Sequence, residues 1–157
     1  MASTVTTATM TVTVSESITL NGKNQGSINT LSIPAIANIS KRIVNVPTSE
    51  VEILTMGTAV GAGIFDETKV LYIRITNLDN ENHVGLIFKN ENNDEAGLKL
   101  DRGQSFIYNG DLDSGVVDTM DAIQNSTLST NVFADLVNIT ATANTAACDI
   151  EIFVACK

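Results

Sequence analysis

The stretch CDIEIFVAC, residues 148–156, carries an apolar side chain at every second position, Cys148, Ile150, Ile152, Val154 and Cys156, with Asp149 and Glu151 between them. In a strand, successive side chains point to opposite faces, so this order sorts cleanly into one apolar side and one mixed side. KVLYIRITN, residues 69–77, obeys the same rule, with Leu71, Ile73 and Ile75 on one face and Tyr72, Arg74 and Thr76 on the other. Composition points the same way. Nineteen Thr, sixteen Ile and fourteen Val make nearly a third of the 157 residues β-branched. Such side chains are stiff at χ1 and fit a pleated surface. Runs rich in Ala, Leu, Glu and Lys, which would favour helix, are missing.

Parity also settles how the two cysteines relate. Eight strand steps between Cys148 and Cys156 amount to roughly 26 Å, whereas a disulfide needs Cα atoms within about 7 Å. Both are expected as buried, reduced thiols behaving as small hydrophobes.

Along the chain, Thr4 to Leu20 alternates: Met10, Val12 and Val14 point one way, Thr9, Thr11 and Thr13 the other. The first nine residues, MASTVTTAT, have no ionisable side chain; the first acid is Glu16 and the first base Lys23. This arm reads as a strand to be completed by a neighbouring subunit, with Met10, Val12 and Val14 as its partner-facing residues. NGKNQGS (21–27) is a turn. Ile28 to Val46, punctuated by Pro34 and Pro47, is expected as an edge strand, a bend and a second strand. Glu50–Met56 is a strand followed by the glycine-rich loop GTAVGAG, and residues 69–108 are spaced like a meander of hairpins. Residues 111–130 lack strand character and fit either a short helix or a long ordered loop. VFADLVNITATA and CDIEIFVAC form a closing pair joined near Asn144. Nine or ten short strands with turns every eight to twelve residues predict an all-β, single-domain β-sandwich of jelly-roll type, residues 17–157, with an extended N-terminal arm, residues 1–16.

The net charge is −9, and no cationic cluster exceeds Lys41–Arg42. A nucleic-acid surface needs several cations to displace counterions, so nucleic acid is not expected as a direct partner. No run approaches the length that spans a bilayer, and the N-terminus lacks the basic-then-apolar order of a leader. Synthesis and retention in a cytoplasm are expected, which makes the N-x-S/T triplets at Asn38, Asn125 and Asn138 chance matches.

Reactive chemistry has little to build on. His83, the single histidine, has no nucleophile context around it and reads as a surface strand residue. The carboxylate pairs Glu50/Glu52 and Asp111/Asp113 lie in turn-like or edge positions, unlike the two acids that flank a glycosidic bond. Seven aromatics and no Trp leave Tyr72 and Tyr108 as the only sugar platforms. DLDSG (111–115) starts like a calcium loop, with Asp118 and Asp121 nearby. It then fails the EF-hand pattern, with Val116 where Gly is required and Ala122 where a bidentate Glu is needed. GTAVGAG lacks the Lys-Ser/Thr end of a P-loop. No catalytic residue, cofactor or metal ligand is assigned, and the chain is not expected to be an enzyme.

The segments SESITLNGKNQGSINTLSIPAIANISKRIVNVPTSEVEIL (15–54), LYIRITN (71–77) and CDIEIFVAC (148–156) resemble small virion structural proteins of tailed phages, especially those of marine bacteria. The resemblance covers much of the chain but lies in strand-like phrases, and it transfers no functional residue. It implies a multi-copy particle component and does not say whether that component sits on the head, at a vertex or in the tail. The acidic balance, which disfavours a lumen facing DNA, and the analogy with jelly-roll trimers that decorate such capsids favour a cement-like capsid decoration protein that coats the head from outside and is assembled into the virion in the host cytoplasm. Its implied partners are further copies of itself, a trimer being one form, and other virion proteins such as the major capsid protein. Neither nucleic acid nor membrane is implied. A tail or tail-fibre component is the nearest alternative, and a calcium- or carbohydrate-binding surface module is the other.

Overall fold

A computed structural model describes residues 4–58, 61, 63–121 and 133–157. Among these residues there are thirteen strands and no helix. The N-terminal part holds β1 (Ala8–Ser15), β2 (Thr19–Leu20), β3 (Lys23–Asn24) and β4 (Ile28–Ile36). The remainder holds β5 (Asn38–Val46), β6 (Val51–Gly57), β7 (Ile64–Asp66), β8 (Val70–Asn77), β9 (Val84–Asn90), β10 (Glu95–Leu100), β11 (Ser105–Asn109), β12 (Leu136–Ala143) and β13 (Cys148–Cys156).

Two sheets form the body, ordered β11-β8-β13-β5 and β10-β9-β12-β6-β7. Every pairing in them is antiparallel except the short β6–β7 contact. With β7 set aside, eight strands interleave as two four-stranded sheets, the order of a jelly roll. The all-β sandwich expected from residue parity is thus present.

Parity fills the space between the sheets. Ile150, Ile152 and Val154 of β13 and Ile73 and Ile75 of β8 meet Leu54, Leu86, Leu136 and Ile139 from the opposite sheet, all at most 1% exposed. Cys148 and Cys156 lie on this inner side as free, buried thiols. Burial raises the Cys148 thiol, and it drives Cys156 up to about 11, with Asp66 adding to the shift.

One expected face is wrong. Ala155 pairs with Tyr72 but Cys156 pairs with Val70, which leaves Leu71 as an extra residue in β8. Such a bulge resets which way the strand points its side chains. Leu71 therefore leaves the side of Ile73 and Ile75 and joins Tyr72 in a second cluster.

Two fully buried asparagines organise the turns of the meander. Asn77 donates through Nδ2 to the carbonyls of Asn82 (2.9 Å) and Leu100 (3.2 Å) and accepts from the Asp79 amide (2.9 Å). Asn90 accepts from the amides of Asn92 and Asp94 in the same manner. A buried amide is tolerated only when its donors and acceptors are satisfied in this way. Residues 111–121 run as turns, with bridges from Asp111 to Gly115 and from Met120 to Ala134, and contain no helix. The rest of the segment left open between helix and loop, from residue 122, lies outside the described residues. Gly115 is held at φ +74°, and a Cβ there would sit 2.3 Å from the Glu67 carbonyl oxygen.

The N-terminal part is a ribbon. β1 pairs antiparallel with β4, and β2–β3 close its tip through Asn21 and Gly22, both at positive φ. That is the backbone a tight two-residue hairpin requires, and Asn-Gly adopts it most readily. The arm expected to await a neighbour's strand already has one partner within its own chain. Its boundary also shifts, because the pairing carries the ribbon to Ile36 instead of ending it at residue 16.

Candidate interface on the ribbon and the outer sheet face

The register Met10↔Ile33, Val12↔Leu31 and Val14↔Asn29 puts Met10, Val12, Val14, Leu31 and Ile33 on one face of the ribbon. Thr11, Thr13, Thr30 and Ser32 occupy the other. The base of the apolar face rests on the outer side of the β11-β8-β13-β5 sheet. There Ile33 and Ile36 are buried with Leu71, Tyr72 and Ala155, and Met10, Val12 and Phe153 pack against them. The Tyr72 and Phe153 rings meet edge-on, with centroids 6.0 Å apart.

Of the three residues expected to face a partner, Met10 and Val12 thus touch this chain's own sheet. Val14 does not: it is 43% exposed, like Leu31 at 40%. These two overhang Ile107 and Asn109 of β11, leaving a cleft of about 170 Å³ that continues past Val12 into a wider one, about 380 Å³, beside Tyr72 and Phe153.

A polar brace flanks the dock. Arg74 holds Glu151 at 2.5 Å, Lys41 holds its other oxygen at 3.1 Å, and the Arg74 guanidinium lies 6.0 Å above the centre of the Phe153 ring. Arg74 first, then Lys41, pull the Glu151 carboxyl below its ordinary value.

Two properties mark this side of the molecule. Residues 1–36 contain one acid, Glu16, and one base, Lys23, so the whole net charge of −9 lies on residues 37–157. Among the described residues, eight of the twelve large apolar side chains left exposed belong to the ribbon and the sheet beneath it, Val14, Ile18, Leu20, Ile28, Leu31, Ile39, Ile43 and Ile107, and Val5 lies just before β1. Apolar exposure concentrated in one part of the fold points to an interaction surface.

The strand edges reinforce the contrast. β5 carries Lys41 and an inward Arg42 whose guanidinium donates to the Ile53 carbonyl. β10 carries Glu95 and Lys99, and β11 and β7 are only five and three residues long. Charges, inward cations and short length are the usual protections of an edge. β1 and β4 pair only with each other and bear no charge, so each leaves one side of its ladder open, with Pro34 and the bulge opposite it interrupting the ladder only at the base of the ribbon.

The other candidate residues do not converge. Glu50 accepts from the Thr140 hydroxyl at 2.6 Å, and Glu52 from the Asn138 amide at 3.1 Å, both on the outer face of the five-stranded sheet. Asp111 spends one oxygen on the amides of Asp113 (2.8 Å) and Ser114 (2.9 Å), and these bonds lower its pKa. It caps a turn. No group of three metal-ligating side chains forms among the described residues. Tyr72 is 4% exposed, and Tyr108 turns inward to stack on Phe88 and donate to Thr119 at 2.9 Å, so neither offers a flat platform. His83 lies half-buried at the rim of a broad, open hollow with Thr48, Lys99 and Asn144.

Leu71, Ala155 and Phe153, which receive the ribbon beside Tyr72, had no signal as a site in the sequence. The only hint was the Pro34 break, which implied a bend without saying what the bend docks against. No protein family model matches this chain, and no curated protein matches it.

Proposed function

We propose that this protein is a virion structural component, a capsid decoration protein that coats a phage head from outside as a homo-oligomer bound to the major capsid protein. The single observation that carries the reading is the neutral ribbon with open edges, set on an acidic jelly-roll body. A body that repels its copies while one side stays neutral and apolar suits regular packing by that side. The jelly roll supports the reading more weakly, since this architecture serves viral capsid domains but also lectins and cupins. The turn-capping role of Asp111, the inward Tyr108 and the ribbon-covered Tyr72 count against a calcium- or sugar-binding module. On this reading the chain does no chemistry and reaches the virion from the host cytoplasm.

The test is to mix fluorescently or gold-labelled protein with phage particles and image them. Label spread over the head shell is the expected result. Label confined to the tail would move the protein to a tail component, and an absence of label from both would overturn the virion reading.

A further inference from the structure

We infer that the ribbon is exchangeable: in the assembled protein, residues 8–34 of one copy dock on the Leu71–Tyr72–Phe153 patch of a second copy, in place of that copy's own ribbon. The inference deepens the multi-copy reading above by naming the surface and its occupant.

Three observations carry it. First, the base of the ribbon, one residue before its last pair Ala8↔Ile36, holds a strained pivot. Thr9 faces both Pro34 and Ala35 across a bulge, and Ala35 sits at φ +61°, a left-handed conformation that an alanine adopts at a cost. Beyond it, Ala37 anchors the body side by donating to the Cys156 carbonyl at 2.9 Å. Straightening Ala35 would release that strain and swing the ribbon outward, and strain in a hinge favours exchange between copies.

Second, the patch already accepts Met10, Val12 and Ile33, so a second copy's ribbon fits it by identity of sequence. Closed and exchanged forms make the same dock contacts, and only the pivot and any new ribbon–ribbon contacts separate them. Third, charge selects a second copy's ribbon as occupant. The ribbon is neutral, so it can cross to another body of net charge −9 without adding like-charge repulsion.

The decisive experiment uses the full chain with Val12→Cys and Ile107→Cys, which line the same clefts beside the dock. Native protein at neutral pH is treated with a short bismaleimide and run on a denaturing gel. Unsubstituted protein is the control, its own thiols being buried. Covalent species of two or more chains are expected from the oligomeric fraction. An oligomer that yields only single-chain bands would overturn the exchange while leaving the multi-copy reading intact. A protein that scatters light as a monomer at every concentration would overturn it as well, with particle labelling then judging the virion reading separately. Ala35→Gly, which removes the strain of the closed pivot, should lower the exchanged fraction by roughly five- to thirty-fold. An unchanged fraction would show that the pivot stores nothing.

Discussion

The sandwich interior and the patch under the ribbon are both apolar clusters, yet they are built on different terms. The interior draws on both sheets, is closed above and below, and places side chains such as Ile73 and Ile150 fully out of water. The patch buries Ile33, Ile36, Leu71, Tyr72 and Ala155 against one face of one sheet, with open clefts at its margin. The first arrangement closes the body's core on itself. The second holds a ribbon whose remaining apolar surface stays in water. Hydrophobic burial therefore does two jobs in one small chain, and the number of sides covered separates them.

Truncating one isoleucine in each region breaks or sharpens this contrast. Ile73→Ala removes side-chain atoms from the closed interior and should lower the stability of the body by roughly 2–5 kcal/mol, read by denaturant unfolding. Asn77→Ala comes next. It leaves the Asn82 and Leu100 carbonyls without their amide donors in a buried setting, and about 1–3 kcal/mol should be lost in the same assay. Ile33→Ala is the counterpart in the patch. Although Ile33 is as buried as the core residues, its loss should loosen the ribbon, seen as faster proteolysis before residue 37, while the unfolding free energy of the body stays within about 0.5 kcal/mol of the unsubstituted value. Equal destabilisation by Ile33→Ala and Ile73→Ala would mean that ribbon and body are one cooperative unit.

The smallest effect concerns pH. The Glu151 carboxyl is held below its ordinary value, so its contribution is fully present above the unfolded carboxylate range. It is lost as pH falls through the depressed folded value. An acid titration of Glu151→Gln should therefore run shallower than that of the unsubstituted protein over that window, and the two should show the same pH dependence at neutral pH.

Much of the body was legible in the sequence because its strands are local patterns. β13 alternates without interruption, so the positions of Cys148, Ile152 and Cys156 followed from parity alone. β8 was legible except at Leu71, where a single bulged residue reverses the face; nothing in VLYIRITN announces it, since Leu and Tyr suit either side. The ribbon was half legible. Alternation identified β1 as a strand with Met10 and Val12 on one side. Its partner, however, lies some twenty residues on, in a Thr/Ser/Ile-rich stretch compatible with many pairings, and the register that joins them is a tertiary choice. Asp111 shows the converse failure. Two aspartates two residues apart suggest a cation loop, but an Asp with Ser and Gly three and four residues on is equally compatible with a side chain that caps its own turn.

The account stands or falls on whether the neutral ribbon, and not the charged body, joins copies of this chain. Sedimentation of the full chain beside a Val14→Lys, Leu31→Lys variant tests this directly, since both side chains are exposed and serve no core. The account predicts a defined oligomer for the unsubstituted protein and a monomer with an unchanged melting temperature for the variant. A variant that still assembles as the unsubstituted protein does, or an unsubstituted chain that never assembles, would contradict it.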